Sequence, residues 1–133
     1  MGNTLNKELN IMGFMCNKCY SIYNEGNICS KCNSKLIEID NLLTPIVSIL
    51  NKKGYKTLSC CSGHNDNHPT NKTYIKFQKE YEPKIIPNGF KIRKDDYQNT
   101  IIYRYHPKPK CKDELEKCIF KSVIDLFNWS IVL

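Results

Sequence analysis

Long apolar runs are absent from this 133-residue chain. It contains no stretch of about 18 consecutive apolar residues, so the sequence predicts no membrane-spanning helix. Residues 1–11 are polar and lack the apolar centre of a signal peptide, which leads us to expect a cytoplasmic protein. Cysteine thiols stay reduced in that compartment and remain available to bind metal.

Arginine is also scarce, since Arg93 and Arg104 are the only arginines among twenty Lys and Arg residues. Surfaces that read bases or clamp phosphates usually contain more arginine. The net charge of +7 is nevertheless concentrated in one segment. Residues 71–112 hold eleven Lys and Arg against four Asp and Glu, whereas the rest of the chain holds nine of each. This distribution favours an anionic partner, and the alternative is a solvated basic face that keeps the protein soluble.

Cysteine, by contrast, is abundant, and four of the eight cysteines form two Cys-x-x-Cys pairs. Cys16 and Cys19 form the first pair, Cys29 and Cys32 form the second, and nine residues separate the two pairs. Each pair can turn both thiolates to the same side, and two facing pairs present four sulfurs as a tetrahedron. The spacing predicts a structural Zn²⁺ site of the zinc-ribbon or zinc-knuckle type. Two disulfides or an iron–sulfur cluster are the alternatives.

The hydrophobic pattern predicts an α+β fold in two parts, a zinc-ribbon module at residues 1–39 and a small α+β domain at residues 40–133. The domain begins with a helix that follows Asp40, a suitable N-cap, and ends before Gly54. A second helix starts at Lys112 and reaches about residue 130. Four alternating segments at residues 55–60, 73–78, 90–93 and 100–105 predict a small antiparallel sheet that packs against both helices.

The alternation in these segments also predicts which side chains face the helices. The inward set is Ile75, Phe77, Phe90, Ile92, Ile101, Tyr103 and Tyr105. The set on the opposite face or rim is Tyr74, Lys76, Lys91, Arg93, Arg104 and His106. The second helix is expected to bury Leu115, Cys118, Ile119, Ile124, Leu126 and Phe127.

Aromatic residues are interleaved with the basic residues of the middle segment. They are Tyr74, Phe77, Tyr81, Phe90, Tyr97, Tyr103 and Tyr105. Aromatic side chains on a sheet, next to cations, can stack on the bases of single-stranded nucleic acid. The alternative is that most of them fill the core, because Tyr and Phe favour strands in any case.

A loop of small residues follows the segment at 55–60 and is a second candidate site. Backbone N–H groups in such a loop can bind phosphate or carboxylate, because small side chains allow close approach. The predicted anion- or ligand-binding residues are Ser59, Cys61, Ser62, Gly63 and His64 of the loop, with Lys76, Arg93 and Arg104 of the basic segment. The alternative is a tight turn whose Cys and Ser side chains bond to the backbone.

Two further kinds of chemistry are conceivable at the same loop. Cys60 or Cys61 together with His64 and His68 would supply ligands for a second metal, with exposed loop histidines as the alternative. Cys61 would be a nucleophile if His64 lowered its pKa, although the sequence contains no clear third orienting group.

The pattern Ser-Cys-Cys-Ser-Gly-His after a helix and a strand, followed by the strand 74–77, resembles small zinc-ribbon proteins of low-GC bacteria and their phages. Ser59-x-Cys61-Ser62-Gly63 more distantly resembles the Ser-x-Cys-Ser-Gly-Arg loop of the tRNA wybutosine-synthesis methyltransferase family. That resemblance covers about residues 40–80 and implies modification of a tRNA base with S-adenosylmethionine. His64 stands where the family has arginine, and the chain has no Gly-x-Gly methyl-donor signature.

Three functional hypotheses follow, and the sequence favours the first, which needs no catalysis. The first is a zinc-ribbon protein that binds an anionic partner, either RNA or another single-stranded nucleic acid or nucleotide. The second is an RNA- or nucleotide-modifying enzyme related to the wybutosine-synthesis family. The third is a protein-interaction module, such as a phage-encoded inhibitor of a host defence system.

Overall fold

A computed structural model describes residues 12–63, 71–106 and 112–133 of the chain. These residues form two antiparallel sheets and two helices, which confirms the predicted α+β fold. The strands are β1 (Met12–Cys16), β2 (Ile22–Tyr23), β3 (Leu36–Asp40), β4 (Thr57–Cys61), β5 (Lys72–Phe77), β6 (Lys91–Lys94) and β7 (Thr100–Tyr105), and the helices are α1 (Thr44–Lys52) and α2 (Lys112–Val132). Neither of these helices is long and apolar enough to cross a membrane.

The amino-terminal sheet has the strand order β2-β1-β3, and both cysteine pairs lie in the turns that connect its strands. The first pair begins at the last residue of β1, Cys16, and the second pair precedes β3. An isolated bridge between Ile28 and Lys35 closes the second turn. Strands this short bury little apolar surface, so the module depends on its cysteines and on the rest of the chain for stability.

The module and the following domain share one hydrophobic core. Met15 of β1 and Ile39 of β3 are buried in the same cluster as Leu50 of α1 and Ile102 of β7. A side chain at Gly13 would collide with Thr44 at the start of α1, so the glycine allows this close packing. The predicted boundary between residues 39 and 40 falls inside β3, and the division into two domains stays a prediction.

Asp40 does not cap α1, contrary to the sequence prediction. Leu43 occupies the N-cap position, and Pro45 lies in the first turn. The Asp40 carboxylate instead accepts hydrogen bonds from the backbone N–H groups of Leu42 at 3.1 Å and Ser62 at 2.8 Å. It therefore fastens the end of β3 to the chain that leaves β4.

The second sheet has the order β4-β5-β7-β6, and each neighbouring pair is antiparallel. Ile75 and Ile102 lie directly opposite each other and are fully buried beneath the helices. Phe77 shares their face, since side chains two residues apart on a strand point the same way. The four predicted strands are therefore present, with ends that differ by one or two residues from the prediction.

The predicted orientation of β7 is wrong. Arg104 faces α2, where its guanidinium bonds to Asp125 at 2.9 Å, and Tyr103 and Tyr105 therefore lie on the opposite face. Residues 101–103 are apolar at three consecutive positions, so alternation alone fits either orientation. A shift of one residue moves every side chain of a strand to the other face.

Other side chains also differ from their predicted placement. Ile92 is exposed on the edge strand β6, and His106 is buried, with its Nε2 atom 2.7 Å from the Thr73 hydroxyl. In α2, Ile124 and Phe127 are exposed, although both were predicted to be buried. The core face of α2 includes the following buried residues: Leu115, Ile119, Ser122, Leu126, Trp129 and Ser130.

Candidate functional site

The four paired cysteines come together between the strands of the amino-terminal sheet. The sulfurs of Cys16, Cys19, Cys29 and Cys32 all lie within 4.8 Å of one another, and those of Cys19 and Cys29 are 3.7 Å apart. An ion with tetrahedral geometry and metal–sulfur bonds of about 2.3 Å places its sulfurs about 3.8 Å apart. Cys16 and Cys29 are fully buried. The cluster therefore has the geometry to hold a metal ion, at the four residues that the spacing predicts.

The two cysteine turns repeat the same backbone geometry. The Tyr20 N–H donates to the carbonyl of Cys16, and the Asn33 N–H donates to the carbonyl of Cys29, both at 2.8 Å. Tyr20 and Asn33 adopt left-handed φ angles of 63° and 57°. In the first turn, the Lys18 N–H also points at the Cys16 sulfur, at 3.4 Å. Such N–H groups favour the ionised thiolate that binds metal.

Hydrogen bonds give the sulfurs unequal proton affinities. The hydroxyl of Ser21 lowers the pKa of Cys19 to about 6, and the hydroxyl of Tyr23 lowers the pKa of Cys29. The hydrogen bond that Cys32 makes with Cys19 raises the pKa of Cys32 to about 12. Four adjacent thiolates repel one another, so a bound cation is needed to ionise all of them.

The second candidate site is the face of the four-stranded sheet that points away from the helices, which we call the outer face. Residues that lie directly opposite each other on antiparallel strands share a face, so the strand registers define its members. One row across all four strands contains Cys61, Tyr74, Tyr103 and Lys91. The next row contains Ser59, Lys76, Ile101 and Arg93, and a third pairs Lys72 with Tyr105.

Three tyrosines and two cations of the outer face are in mutual contact. The rings of Tyr103 and Tyr105 meet edge to face, with centroids 5.3 Å apart. The Lys72 ammonium lies 5.3 Å from the ring centroid of Tyr74 and 5.9 Å from that of Tyr105. The Arg93 guanidinium carbon lies 5.6 Å from the ring centroid of Tyr103. Because Tyr105 is 52% exposed, this surface offers both aromatic area and positive charge to a ligand.

Most of the positive charge on the outer face is not neutralised. The Lys76 ammonium is 2.7 Å from the Asp95 carboxylate, and this contact lowers the pKa of Asp95 to about 2. Lys72, Lys91 and Arg93 make no ion pair within residues 12–63, 71–106 and 112–133. Lys72 lies on β5, and Lys91 and Arg93 lie on the edge strand β6, so cations flank the tyrosines of β7 on both neighbouring strands.

In the described part of the loop after β4, the backbone N–H groups of Ser62 and Gly63 are already engaged within the chain. The Ser62 N–H donates to Asp40, and the Gly63 N–H points at the Cys61 sulfur at 3.4 Å. Ser62 is fully buried, and Gly63 has a φ of 105°, which favours glycine. An additional side chain at Gly63 would also crowd His106. The Asp40 carboxylate therefore holds Ser62, and the Lys72 carbonyl and the His106 ring leave room only for a glycine at residue 63.

The predicted ligand-binding residues therefore separate into groups. Ser59, Cys61, Lys76 and Arg93 come together on the outer face. Arg104 lies on the helix-facing side of the sheet, and the Ser62 and Gly63 N–H groups are already bonded as described above. His64 and His68 fall outside the described residues, so the second metal site and a His64-activated Cys61 stay predictions.

Cys60 and Cys61 are adjacent in β4 and point to opposite faces of the sheet. Burial raises the pKa of Cys60 to about 12, so this thiol stays protonated. Cys61 instead lies opposite Tyr74 on the outer face.

Tyr103 and Tyr105 also belong to the outer face, although the alternation in β7 predicts that they face the helices. The antiparallel register of β5 and β7, which sets Lys72 against Tyr105, is the signal that identifies them.

A cavity of about 230 Å³ opens between β3 and β4, the edge strands at which the two sheets meet. Ser59 lines this cavity and also lies on the outer face. Glu38 and Asp40 line the β3 side, so the positive outer face is bordered at β4 by an acidic cleft.

The resemblances to zinc-ribbon proteins of low-GC bacteria and phages and to the wybutosine-synthesis family stay predictions. No protein-family model, curated protein or solved structure matches the chain.

Proposed function

We propose that this protein binds single-stranded nucleic acid, RNA foremost, on the outer face of its four-stranded sheet. The observation that carries the proposal is the set of contacting tyrosines and cations, Tyr74, Tyr103, Tyr105, Lys72 and Arg93. Exposed aromatic rings on a sheet stack on unpaired bases, and neighbouring cations bind the phosphates between them.

The spacing of the outer face supports a single-stranded ligand. Tyr103 and Tyr105 lie two residues apart on β7, about 6.8 Å along the strand. Tyr74 lies directly across from Tyr103 on the neighbouring strand, about 5 Å away. Tyr105, which is 52% exposed, offers a ring on which an unpaired base would stack. The bases of a duplex are stacked on one another and cannot reach such rings without being unpaired.

The ion at the four cysteines is, in this proposal, Zn²⁺. Four thiolates in a closed tetrahedron are the ligand set of structural zinc sites, and such a site leaves no open position for a substrate. A reducing, cytoplasmic location would keep these thiols available. The zinc would thus hold β1, β2 and β3 in place while the outer face binds the ligand.

The test is fluorescence anisotropy with a labelled single-stranded RNA of about 12 nucleotides, measured between 50 and 200 mM salt. We expect binding that weakens with salt, with a log–log slope of about −2 for three phosphate contacts. Tyr103→Ala should weaken binding about tenfold, because one stacked base contributes about 1–3 kcal/mol. Tyr97→Ala is the matched control, since this tyrosine is 84% exposed in a turn outside the rows of the outer face. No binding at 50 mM salt, or equal losses in both variants, contradicts the proposal.

Modification of a bound nucleotide is a second candidate function, favoured by the position of Cys61 opposite Tyr74 on the outer face. A base stacked on Tyr74 would lie beside this thiol. An enzyme of the wybutosine-synthesis type would also bind S-adenosylmethionine, which raises the melting temperature of the protein by mass action. If the melting temperature is unchanged at millimolar S-adenosylmethionine, the modification hypothesis is rejected and nucleic-acid binding without catalysis is the function that stays proposed.

A further inference from the structure

The amino-terminal sheet borders a second cavity, which we call the module cavity. Its volume of about 430 Å³ lies within the range of about 300–1,000 Å³ that is typical of small-molecule sites. Its wall includes Phe14, Leu36 and Glu38 of the sheet, together with Gly26, Asn27 and Lys35 of the connecting segments. None of the described residues that line it belongs to the four-stranded sheet, so the module cavity is separate from the outer face.

An aromatic ring and a carboxylate lie side by side in the wall of the module cavity. Phe14 of β1 is directly opposite Glu38 of β3, so the two side chains share one face of the sheet. The Phe14 ring is half-buried and packs against the cluster of Cys16, Cys29 and Leu36. This packing fixes the ring in place while part of it remains open to the cavity.

The backbone before the second cysteine turn forms another part of the wall. The Leu36 N–H donates to the Asn27 carbonyl at 2.8 Å, which holds this backbone beside β3. Gly26 has a φ of 110°, and a side chain at this position would meet no atom within 4 Å. No side chain therefore fills this part of the cavity, and a flat molecule can approach the backbone closely.

The module cavity contains one charge of each sign. Lys35 and Glu38 are exposed, and neither makes an ion pair within residues 12–63, 71–106 and 112–133. A ligand that fits this wall has a flat ring to stack on Phe14, N–H donors for the carboxylate, and a negative group for the ammonium. A nucleotide combines these three features.

The carboxylate selects among the four RNA bases. An ionised carboxylate only accepts hydrogen bonds, and its two oxygens can accept from two neighbouring N–H groups. Guanine is the one RNA base with two neighbouring donors on its Watson–Crick edge, N1–H and the 2-amino group. Adenine and cytosine place an acceptor beside their donor, and uracil has a single donor between two acceptors. An acceptor that faces the carboxylate leaves both groups without a partner, which disfavours these bases.

We propose that the module cavity is a binding site for the guanine base of a nucleotide. The base stacks on Phe14, its N1–H and 2-amino groups donate to Glu38, and the phosphate lies at Lys35. The tyrosines of the outer face stack on any base, because every base has a π-face. The module cavity would thus give the protein a preference for RNA that contains guanine, and this consequence rests on the proposed function.

A titration of the full chain with free nucleotides, followed by amide NMR signals, tests the site without RNA. GMP should shift the signals of Phe14, Asn27 and Glu38. IMP lacks the 2-amino group and should bind about tenfold more weakly, and AMP should bind more weakly still. Equal affinities for GMP and AMP overturn the proposal. It is also overturned if these signals do not move at about 5 mM GMP, above the millimolar dissociation constant expected for one stacked base.

Glu38→Gln provides the sharpest test, because it keeps the shape of the side chain and changes only its hydrogen bonding. The amide has an acceptor and a donor side by side, which matches the Watson–Crick edge of adenine instead of guanine. The variant should therefore bind AMP more tightly than GMP. Glu25→Gln is the matched control, since Glu25 is an exposed acid of the same connection that does not line the cavity. A preference for GMP that persists in Glu38→Gln overturns the proposal.

Oligouridine separates this proposal from the proposed function, because it contains no guanine and its binding reports on the outer face alone. If the protein binds oligouridine and not GMP, the guanine site is wrong and the outer face stands. If it binds GMP with the expected preference and not oligouridine, the guanine site stands and the outer face is wrong.

Lys35→Gln tests the position of the phosphate. This variant should weaken GMP binding about threefold and leave the affinity for guanosine, which has no phosphate, unchanged. Equal losses for GMP and guanosine overturn the placement of the phosphate at Lys35.

Discussion

The two arginines of the chain lie on opposite faces of one sheet and have opposite surroundings. Arg104 bonds to Asp125 at 2.9 Å and lies over the Phe90 ring at 5.1 Å, so it joins β7 to α2. Arg93 is exposed, makes no ion pair within the described ranges, and lies over Tyr103. In a strongly basic chain, the residue type therefore does not indicate the role of a cation. The role depends on the face of the sheet on which the cation lies. Cations on the helix-facing side stabilise the fold, whereas cations on the outer face are available to a ligand.

The largest effect on stability should come from a change in the cluster of four cysteines, which belongs to neither face of the four-stranded sheet. With Zn²⁺ bound as proposed, Cys29→Ser should release the ion and destabilise the chain by several kcal/mol, because structural zinc contributes about 10 kcal/mol and Met15 and Ile39 of the module belong to the common core. Zinc content by plasma mass spectrometry and thermal unfolding by circular dichroism would measure both. Cys118→Ser, on α2 and outside the cluster, is the matched control. Equal melting temperatures for the two variants would show that the cluster does not stabilise the fold.

The two arginines give the most direct contrast between the faces. Arg104→Ala should lower the free energy of unfolding by about 2 kcal/mol, since it leaves the half-buried Asp125 without its charged partner. Arg93→Ala should change stability by less than about 0.5 kcal/mol, yet weaken RNA binding and reduce the salt slope by about 0.7. Urea denaturation and anisotropy on both variants measure the two effects. If Arg104→Ala weakened binding and left stability unchanged, the assignment of the faces would be wrong.

The smallest effect is expected at Asp95, the acid that neutralises Lys76 on the outer face. Asp95→Asn should release the ammonium and strengthen RNA binding by about twofold to fivefold, with a salt slope steeper by about 0.7. Asp96→Asn, in the same turn, is the control and should leave the affinity unchanged. A weaker affinity for Asp95→Asn would mean that Lys76 does not face the ligand.

The same variant predicts a difference at acid pH. The pKa of Asp95 is lowered from 3.8 to about 2 in the folded protein, so its ion pair stabilises the fold above about pH 4. This contribution is lost as the pH falls from about 4 to 2 and the carboxylate takes up a proton. The wild type should therefore lose its advantage over Asp95→Asn across that interval, as measured by urea midpoints. A constant difference between the two proteins would show that the pair does not contribute.

The sequence predicts the parts of the molecule that depend on local spacing. Cys16, Cys19, Cys29 and Cys32 form two short pairs, and each pair sets its own turn, so the spacing predicts their cluster residue by residue. The helix that ends at Gly54 follows from an equally local pattern, and Gly54 indeed has a positive φ of 97°. The alternating strands also lie where they were predicted, since a period of two is visible within one strand.

Features that depend on contacts between distant parts of the chain could not be predicted. The orientation of β7 is decided by its register with β5, because the apolar run at residues 101–103 suits both faces. Asp40 accepts a hydrogen bond from the backbone N–H of Ser62, 22 residues away in the sequence, and no local pattern indicates this contact. Ile124 and Phe127 are apolar and helical, so composition predicted burial. Only the position of the core face, set by Leu126 and Ile119, reveals that they point elsewhere.

Tyr20 links the first cysteine turn to the rest of the molecule. Its left-handed backbone costs about 1–2 kcal/mol, which glycine would not incur. The same residue tethers the first cysteine turn to the body: its carbonyl accepts a hydrogen bond from Ser48 of α1 at 2.6 Å, and its ring and hydroxyl meet the ammonium of Lys56. A movement of that turn is therefore transmitted to α1 through the Tyr20 carbonyl and to the start of β4 through Lys56. A glycine at this position would keep the carbonyl that accepts from Ser48 and would lose the ring and hydroxyl that contact Lys56.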